Sequence, residues 1–307
     1  MSLNHKLADF IPIQNIILDA EAAACPQFPD PVGMGVEIEI ENATGVRLTE
    51  ESSAYWGIKD DPSLRNNGKE FVFLAPKSGR NFMHAIELFN DMVEAANIKP
   101  VLTTRCSMHI HINVSDMTAN EAINLFMLFL LFEPALYTVG NKDRYHNTFC
   151  VGFTHQPNLL YSVGEVLYSD NIHSFLKMVN GWFKYTGFNF APISQQGSVE
   201  IRTHQGTLNA DDIILWARLL NCITVYSKNK TTNEIMSLAD IGMLQAIKQV
   251  FPESLQEYVF CPALDTYWEH STRNVRHIQL MRDILINNKN FRLVEEGEEI
   301  DNIMEVL

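Results

Sequence analysis

The sequence predicts an α+β fold, a mainly antiparallel sheet backed by helices. Two observations predict it. Short segments with period-two polar and apolar alternation sit between turn-forming clusters at 26–35 and 60–69, and longer stretches with helical spacing separate them. The order of strands, helix, strand and long helix lacks the regular βαβ winding of a parallel sheet. No internal repeat or low-complexity linker divides the 307 residues.

The strands come first. Val36-Glu37-Ile38-Glu39-Ile40, Glu70-Phe71-Val72-Phe73, His109-Ile110-His111-Ile112-Asn113 and Val199-Glu200-Ile201-Arg202-Thr203-His204 each place one set of side chains on either sheet face. Helices fill the intervals. Residues 81–97 carry Phe82, Ile86, Phe89 and Val93 at helical spacing, and Thr118-Ala119-Asn120-Glu121 opens a capping box for a helix running to about Val139. Asn209 precedes Asp211 and Asp212, an N-cap with acidic first-turn residues, before a helix over 213–226. Beyond Lys230 the pattern stays helical. The expected organisation is an N-terminal segment at 1–29, a core domain at 30–230, and a helical extension at 231–307 whose acidic tail, Val294 to Asp301, reads as a solvated stretch.

Composition narrows the function classes. Hydrophobic residues make up 46% and charged residues 20%, which excludes disorder and fibrous folds as global descriptions. The formal net charge of −14 repels DNA and anionic lipid, so neither nucleic acid nor membrane is an expected partner. Five scattered cysteines without a C-x-x-C pair fit a reduced compartment. The opening residues, MSLNHKLADFIPIQ, lack the features of a signal peptide, and the apolar run Leu125 to Phe132 is too short to span a bilayer, so the expectation is a cytoplasmic protein with a buried helix there.

Four constellations carry chemistry. In Gly33-Met34-Gly35-Val36-Glu37-Ile38-Glu39-Ile40-Glu41 the glutamates share one strand face, where crowded carboxylates repel one another unless a cation lies between them; a solvated strand face is the alternative. In Cys106-Ser107-Met108-His109-Ile110-His111 both imidazoles point one way, as metal ligands or as core histidines bonded to the backbone. Val199 to Thr207 alternates Glu200, Arg202 and His204 on one face, suiting a metal-bound phosphate or a cross-strand ion pair. Asp61-Pro62-Ser63 and Glu70 form a turn and a strand residue whose own pattern favours a structural role.

Taken together, and without a G-x-x-x-x-G-K-[ST] loop, the set resembles the amidoligase family, within the carboxylate-amine ligases of glutamine synthetase-like fold. The family shows G-x-E-x-E, D-x-S-L with a G-x-E strand, C-x-x-H-x-H, and V/I-E-x-R-x-H-x-G-T, here in that order over 33–216. Proline replaces the usual glycine in the D-x-S turn. The resemblance implies a glutamine synthetase-like catalytic domain and an ATP-dependent ligase that forms an amide through an acyl phosphate, releasing ADP and phosphate. It implies that Glu37, Glu39, Glu70, His109 and Glu200 hold Mg²⁺ or Mn²⁺, and that Arg202 lies against the transferred phosphoryl group. His111 and His204 fall near the nucleotide or acyl phosphate, Asp61 and Ser63 near the amine, and Arg144, Lys184 and Asn189 are further substrate or phosphate contacts. The implied partners are small-molecule or peptide carboxylates and amines, and a homo-oligomer stays open. Two other classes compete. A metal-dependent hydrolase would use the histidine pair and glutamates to activate water, and a non-catalytic nucleotide- or metal-binding assembly protein would keep the fold alone.

Overall fold

A computed structural model describes residues 1–11, 24–141, 143–144, 147–228, 230–260 and 264–291; the acidic tail lies outside them. Six antiparallel strands form one sheet, β1 (Met34–Ile40), β2 (Trp56–Asp60), β3 (Lys69–Phe73), β4 (Ser107–Asn113), β5 (Phe188–Asn189) and β6 (Ser198–Gln205), in spatial order β2-β3-β1-β4-β6-β5. The α+β class and the four strands read from the sequence are present, each within a residue or two of its expected ends. Strands β2 and β5 are additions. Gly57 and the Lys59-Asp60 pair disguise β2 as a turn, and two residues are too few for β5 to show a period.

The apolar alternate residues of the strands face helices. Helix α1 (Gly79–Ala95) lays Phe89 against Trp56 and Phe71, with ring centroids 5.1 and 5.6 Å apart. The indole N–H of Trp56 donates to the Ala85 carbonyl at 2.8 Å, which pins the edge strand to that helix. Helix α2 (Ala119–Gly140) begins at the expected Thr118–Glu121 capping box and sets Phe126 and Phe129 on Phe188. By length and composition α2 could cross a membrane, yet 83% of its apolar window is buried inside the fold, the signature of a core helix. The run Leu125 to Phe132 is thus the middle of a 22-residue helix, continuing through Pro134.

Between α2 and β5 lie α3 (Pro157–Ser169) and α4 (Ile172–Asn180); a single turn, α5 (Ile193–Gln196), precedes β6. Helix α6 (Ala210–Lys228) completes the layer behind the sheet, packing on α1 and α2. Then come α7 (Thr232–Ser237), α8 (Met243–Val250), α9 (Glu253–Val259) and the long α10 (Leu264–Phe291), which packs on α2 and α3. With one face under helices, the polar residues of β1, β3, β4 and β6 gather on the other.

One irregularity matters for that face. The pairing of β4 with β6 shifts between Met108 and Ile110, so that Ile110 faces Ile201 but Met108 faces His204. An extra residue in β6 at this point is a β-bulge, and it breaks the period-two alternation.

Candidate active site

Register assembles the site. On β1, Glu37 faces His109 and Gly35 faces His111, and His111 in turn faces Glu200 on β6. On the other flank Glu39 faces Glu70 of β3, which faces Lys59 of β2. Directly opposed residues on one sheet face have Cβ atoms about 5 Å apart, close enough for their side-chain tips to share a ligand. Residues far apart in sequence therefore meet in a polar band across the sheet.

At its centre, His109 Nδ1 lies 3.3 Å from Glu37 Oε2 and equally far from Glu200 Oε1. His111 Nε2 lies 3.5 Å from Glu37 Oε1 and 3.9 Å from Glu200 Oε1. Glu200 is further held by Arg202, whose Nη1 pairs with Oε1, and by Asn189, which donates to Oε2 at 2.8 Å.

Ser107 fixes the orientation of His109. Its N–H and O–H both donate to Glu39 Oε2, at 2.8 and 2.5 Å. With its proton committed there, the Ser107 oxygen accepts from His109 Nε2–H at 2.9 Å. That choice of tautomer aims Nδ1 at the two carboxylates, as a metal-ligating imidazole requires. His111 is similar: Ser198 Oγ lies 3.2 Å from Nδ1, while the buried Nε2 has no hydrogen-bond partner among the described residues.

The electrostatics favour cations. Burial opposes charge on Glu37, but the His109 and His111 rings beside it overcome that and hold the carboxyl well below the usual range. Burial likewise opposes charge on Glu200, and His109, His111 and Arg202 outweigh it. Burial disfavours a charged His111, yet Glu37 and then Glu200 raise it, so the two carboxylates favour positive charge at this ring. Burial and the negative charge of Glu37 push Glu70 up to about 7, with Glu39 and Asp61 adding to the rise against Lys59. Among the described residues three donor groups each have ligand atoms within 4.8 Å of one another: Glu37, His111 and Glu200; Glu37, Glu70 and His109; Glu39, Asp61 and Glu70. The carboxylate oxygens suit Mg²⁺ or Mn²⁺, the imidazole nitrogens admit a softer divalent ion beside them, and the orphaned His111 Nε2 fits a metal reading.

The other expected site residues divide. Asp61 joins Glu39 and Glu70, and Ser63, with its N–H on Asp61 Oδ1 at 2.8 Å, is exposed. Arg144 is buried and donates to the Arg202 carbonyl at 3.1 Å, gripping that residue's main chain. Lys184 is exposed, its Nζ 4.9 Å from the centre of the Tyr185 ring. His204 corrects the one-face reading of its strand. The bulge aligns it with Met108, on the helix side, where its ring meets Trp216 at 5.2 Å and its Nδ1 lies 2.6 Å from the Gln205 carbonyl oxygen. Glu41, third of the strand's glutamates, accepts from Arg65 N–H and pairs with Arg105, a structural task. Ser107 and Ser198 went unmarked in the sequence, although each lies two positions before a site residue and so shares its face.

Residues 84–224 match the family model described as "Putative amidoligase enzyme". Over that segment the chain is similar to the amidoligase family. The segment takes in most of α1 and all of β4, α2, β5 and β6, and hence His109, His111, Asn189, Glu200 and Arg202, while the sheet register supplies Glu37, Glu39 and Glu70 from outside it. The family is named for a ligase-type enzyme. No curated protein matches the chain.

Proposed function

We propose that the protein is an ATP-dependent carboxylate-amine ligase of glutamine synthetase-like architecture. The observation that carries this reading is the Glu200–Arg202 pair set against Glu37, His109 and His111 within the amidoligase segment. A water-activating metal site needs the carboxylates and imidazoles but has no use for a guanidinium beside them. Phosphoryl transfer does, because charge spreads over the transferred group's oxygens.

A carboxylate resists amines because its charge repels nucleophiles and oxide is a poor leaving group. In the proposed reaction a substrate carboxylate oxygen attacks the γ-phosphorus of ATP and ADP departs. The amine nitrogen then attacks the acyl carbon, loses its proton, and phosphate departs as the amide forms. Glu37, Glu200 and His111 would hold one divalent ion, and Glu37, Glu70 and His109 a second; such ions withdraw charge from the triphosphate. Glu39, acting through Ser107, keeps His109 in its ligating tautomer. Arg202, steadied at its carbonyl by Arg144 and at Nε by the Phe149 carbonyl, presents fixed positive charge to the moving phosphoryl group.

The test is ADP release and hydroxamate formation from Mg²⁺- or Mn²⁺-ATP, pooled carboxylates and hydroxylamine, which traps an acyl phosphate without knowledge of the natural amine. Wild type should form hydroxamate only with ATP. Glu39→Ala should abolish it, and Arg202→Lys should lower kcat by roughly a hundredfold or more, because an ammonium cannot reproduce the guanidinium fork. Hydroxamate formed equally by all three proteins would overturn the assignment.

A further inference from the structure

Beside Arg202 the molecule exposes a group of aromatic rings that the polar band does not use. Phe149 is 53% exposed and Phe183 42% exposed, and each meets Tyr185 edge-on, with ring centroids 5.5 and 5.6 Å away. Single exposed apolar side chains are ordinary on a protein surface, but a contiguous set next to a polar site is a recognition feature.

The rings are built rigidly onto the site. Val151 N–H donates to the Tyr185 carbonyl at 2.7 Å and Gly187 N–H to the Val151 carbonyl at 3.1 Å, tying the two ring-bearing segments together. Thr186 Oγ1 donates to the Phe188 carbonyl at 2.6 Å and accepts from Trp182 Nε1 at 3.1 Å, which fixes the turn beneath Tyr185. The same main chain grips Arg202 twice: Arg202 N–H donates to the Gly187 carbonyl at 2.9 Å, and Arg202 Nε to the Phe149 carbonyl at 3.3 Å. The rings and the guanidinium thus form one unit.

We propose that Phe149, Phe183 and Tyr185 form a stacking shelf for the base of the nucleoside triphosphate, with Lys184 serving its phosphate chain. The proposal rests on the ligase reading and deepens it. Aromatic faces take up planar rings of any base, and Lys184, whose Nζ caps one face of the Tyr185 ring 4.9 Å from its centre, adds positive charge beside the rings for an anionic chain. A planar ring joined to a polyanion is the ligand that matches both features.

Calorimetric titration separates the base from the phosphates by comparing Mg²⁺-ATP with Mg²⁺-tripolyphosphate. In wild type ATP should bind at least about tenfold more tightly. Tyr185→Ala and Phe149→Ala should each weaken ATP by between about fivefold and a hundredfold while leaving tripolyphosphate unchanged, and Tyr185→Phe should keep wild-type affinity. Equal weakening of both ligands, or unchanged ATP affinity in both alanine variants, would overturn the shelf and leave the ligase reading standing. Failure of wild type to bind either ligand would overturn both.

Discussion

Glu133 is a buried acid that the proposed chemistry leaves unused. It sits inside α2, 2% exposed, accepting the Phe153 N–H at 3.1 Å. Burial pushes it from the ordinary 4.5 up to about 8, against that single backbone hydrogen bond. In the unfolded chain the carboxyl gives up its proton near 4.5, whereas the folded state keeps it until about 8, so the folded state binds more protons between those values. The contribution to stability is full below the lower value and is lost as pH rises through the upper one. The slope is on the order of 1 kcal/mol per pH unit. Glu133→Gln, neutral at every pH, should remove it: denaturation midpoints measured across the window should fall with pH in wild type and stay flatter in the variant, and parallel curves would refute the argument. At this same scale the carboxylates and the histidine pair were legible, because period two alone puts Glu37 with Glu39 and His109 with His111. The placement of Asp61 was not, since only the fold turns its carboxylate toward Glu39 and Glu70.

Elements were legible where local chemistry decided them. The Thr118–Glu121 capping box starts α2 as read, because its two reciprocal hydrogen bonds need only neighbouring residues. The bulge in β6 was not legible, because nothing in Arg202-Thr203-His204 marks an extra residue; it exists relative to β4 and to the helix behind it. Gly140, at the end of α2, shows that dependence. A Cβ at this position would lie 2.6 Å from the Thr203 carbonyl oxygen and 2.9 Å from His204 Cα, so the helix end touches the main chain of the bulge. Gly140→Ala must therefore push α2 and β6 apart. The expected cost is about 1–3 kcal/mol of stability, and the strand it displaces carries Arg202. Thermal unfolding together with ADP release should both decline; a variant as stable as wild type would mean that the two elements slide freely.

Across the whole molecule the charge excess and the site point the same way. A net charge of −14 already disfavours the compact state through self-repulsion, and the polar band concentrates carboxylates where three donor groups overlap. A divalent ion bound there cancels repulsion that exists only when the sheet has brought β1, β3, β4 and β6 together, because in the unfolded chain the same residues lie far apart. An ion that binds the folded state alone raises its stability by RT ln(1 + [L]/Kd), about 2.7 kcal/mol at a hundredfold excess over Kd. Mn²⁺ should accordingly raise the melting temperature of wild type by several degrees, and a chelator should reverse the shift. Glu37→Gln removes a donor common to two of the three groups, so it should lose most of that gain while melting as a folded protein without metal. An equal Mn²⁺ response in wild type and variant would place the ion elsewhere on the acidic surface and remove the sheet face as the metal centre.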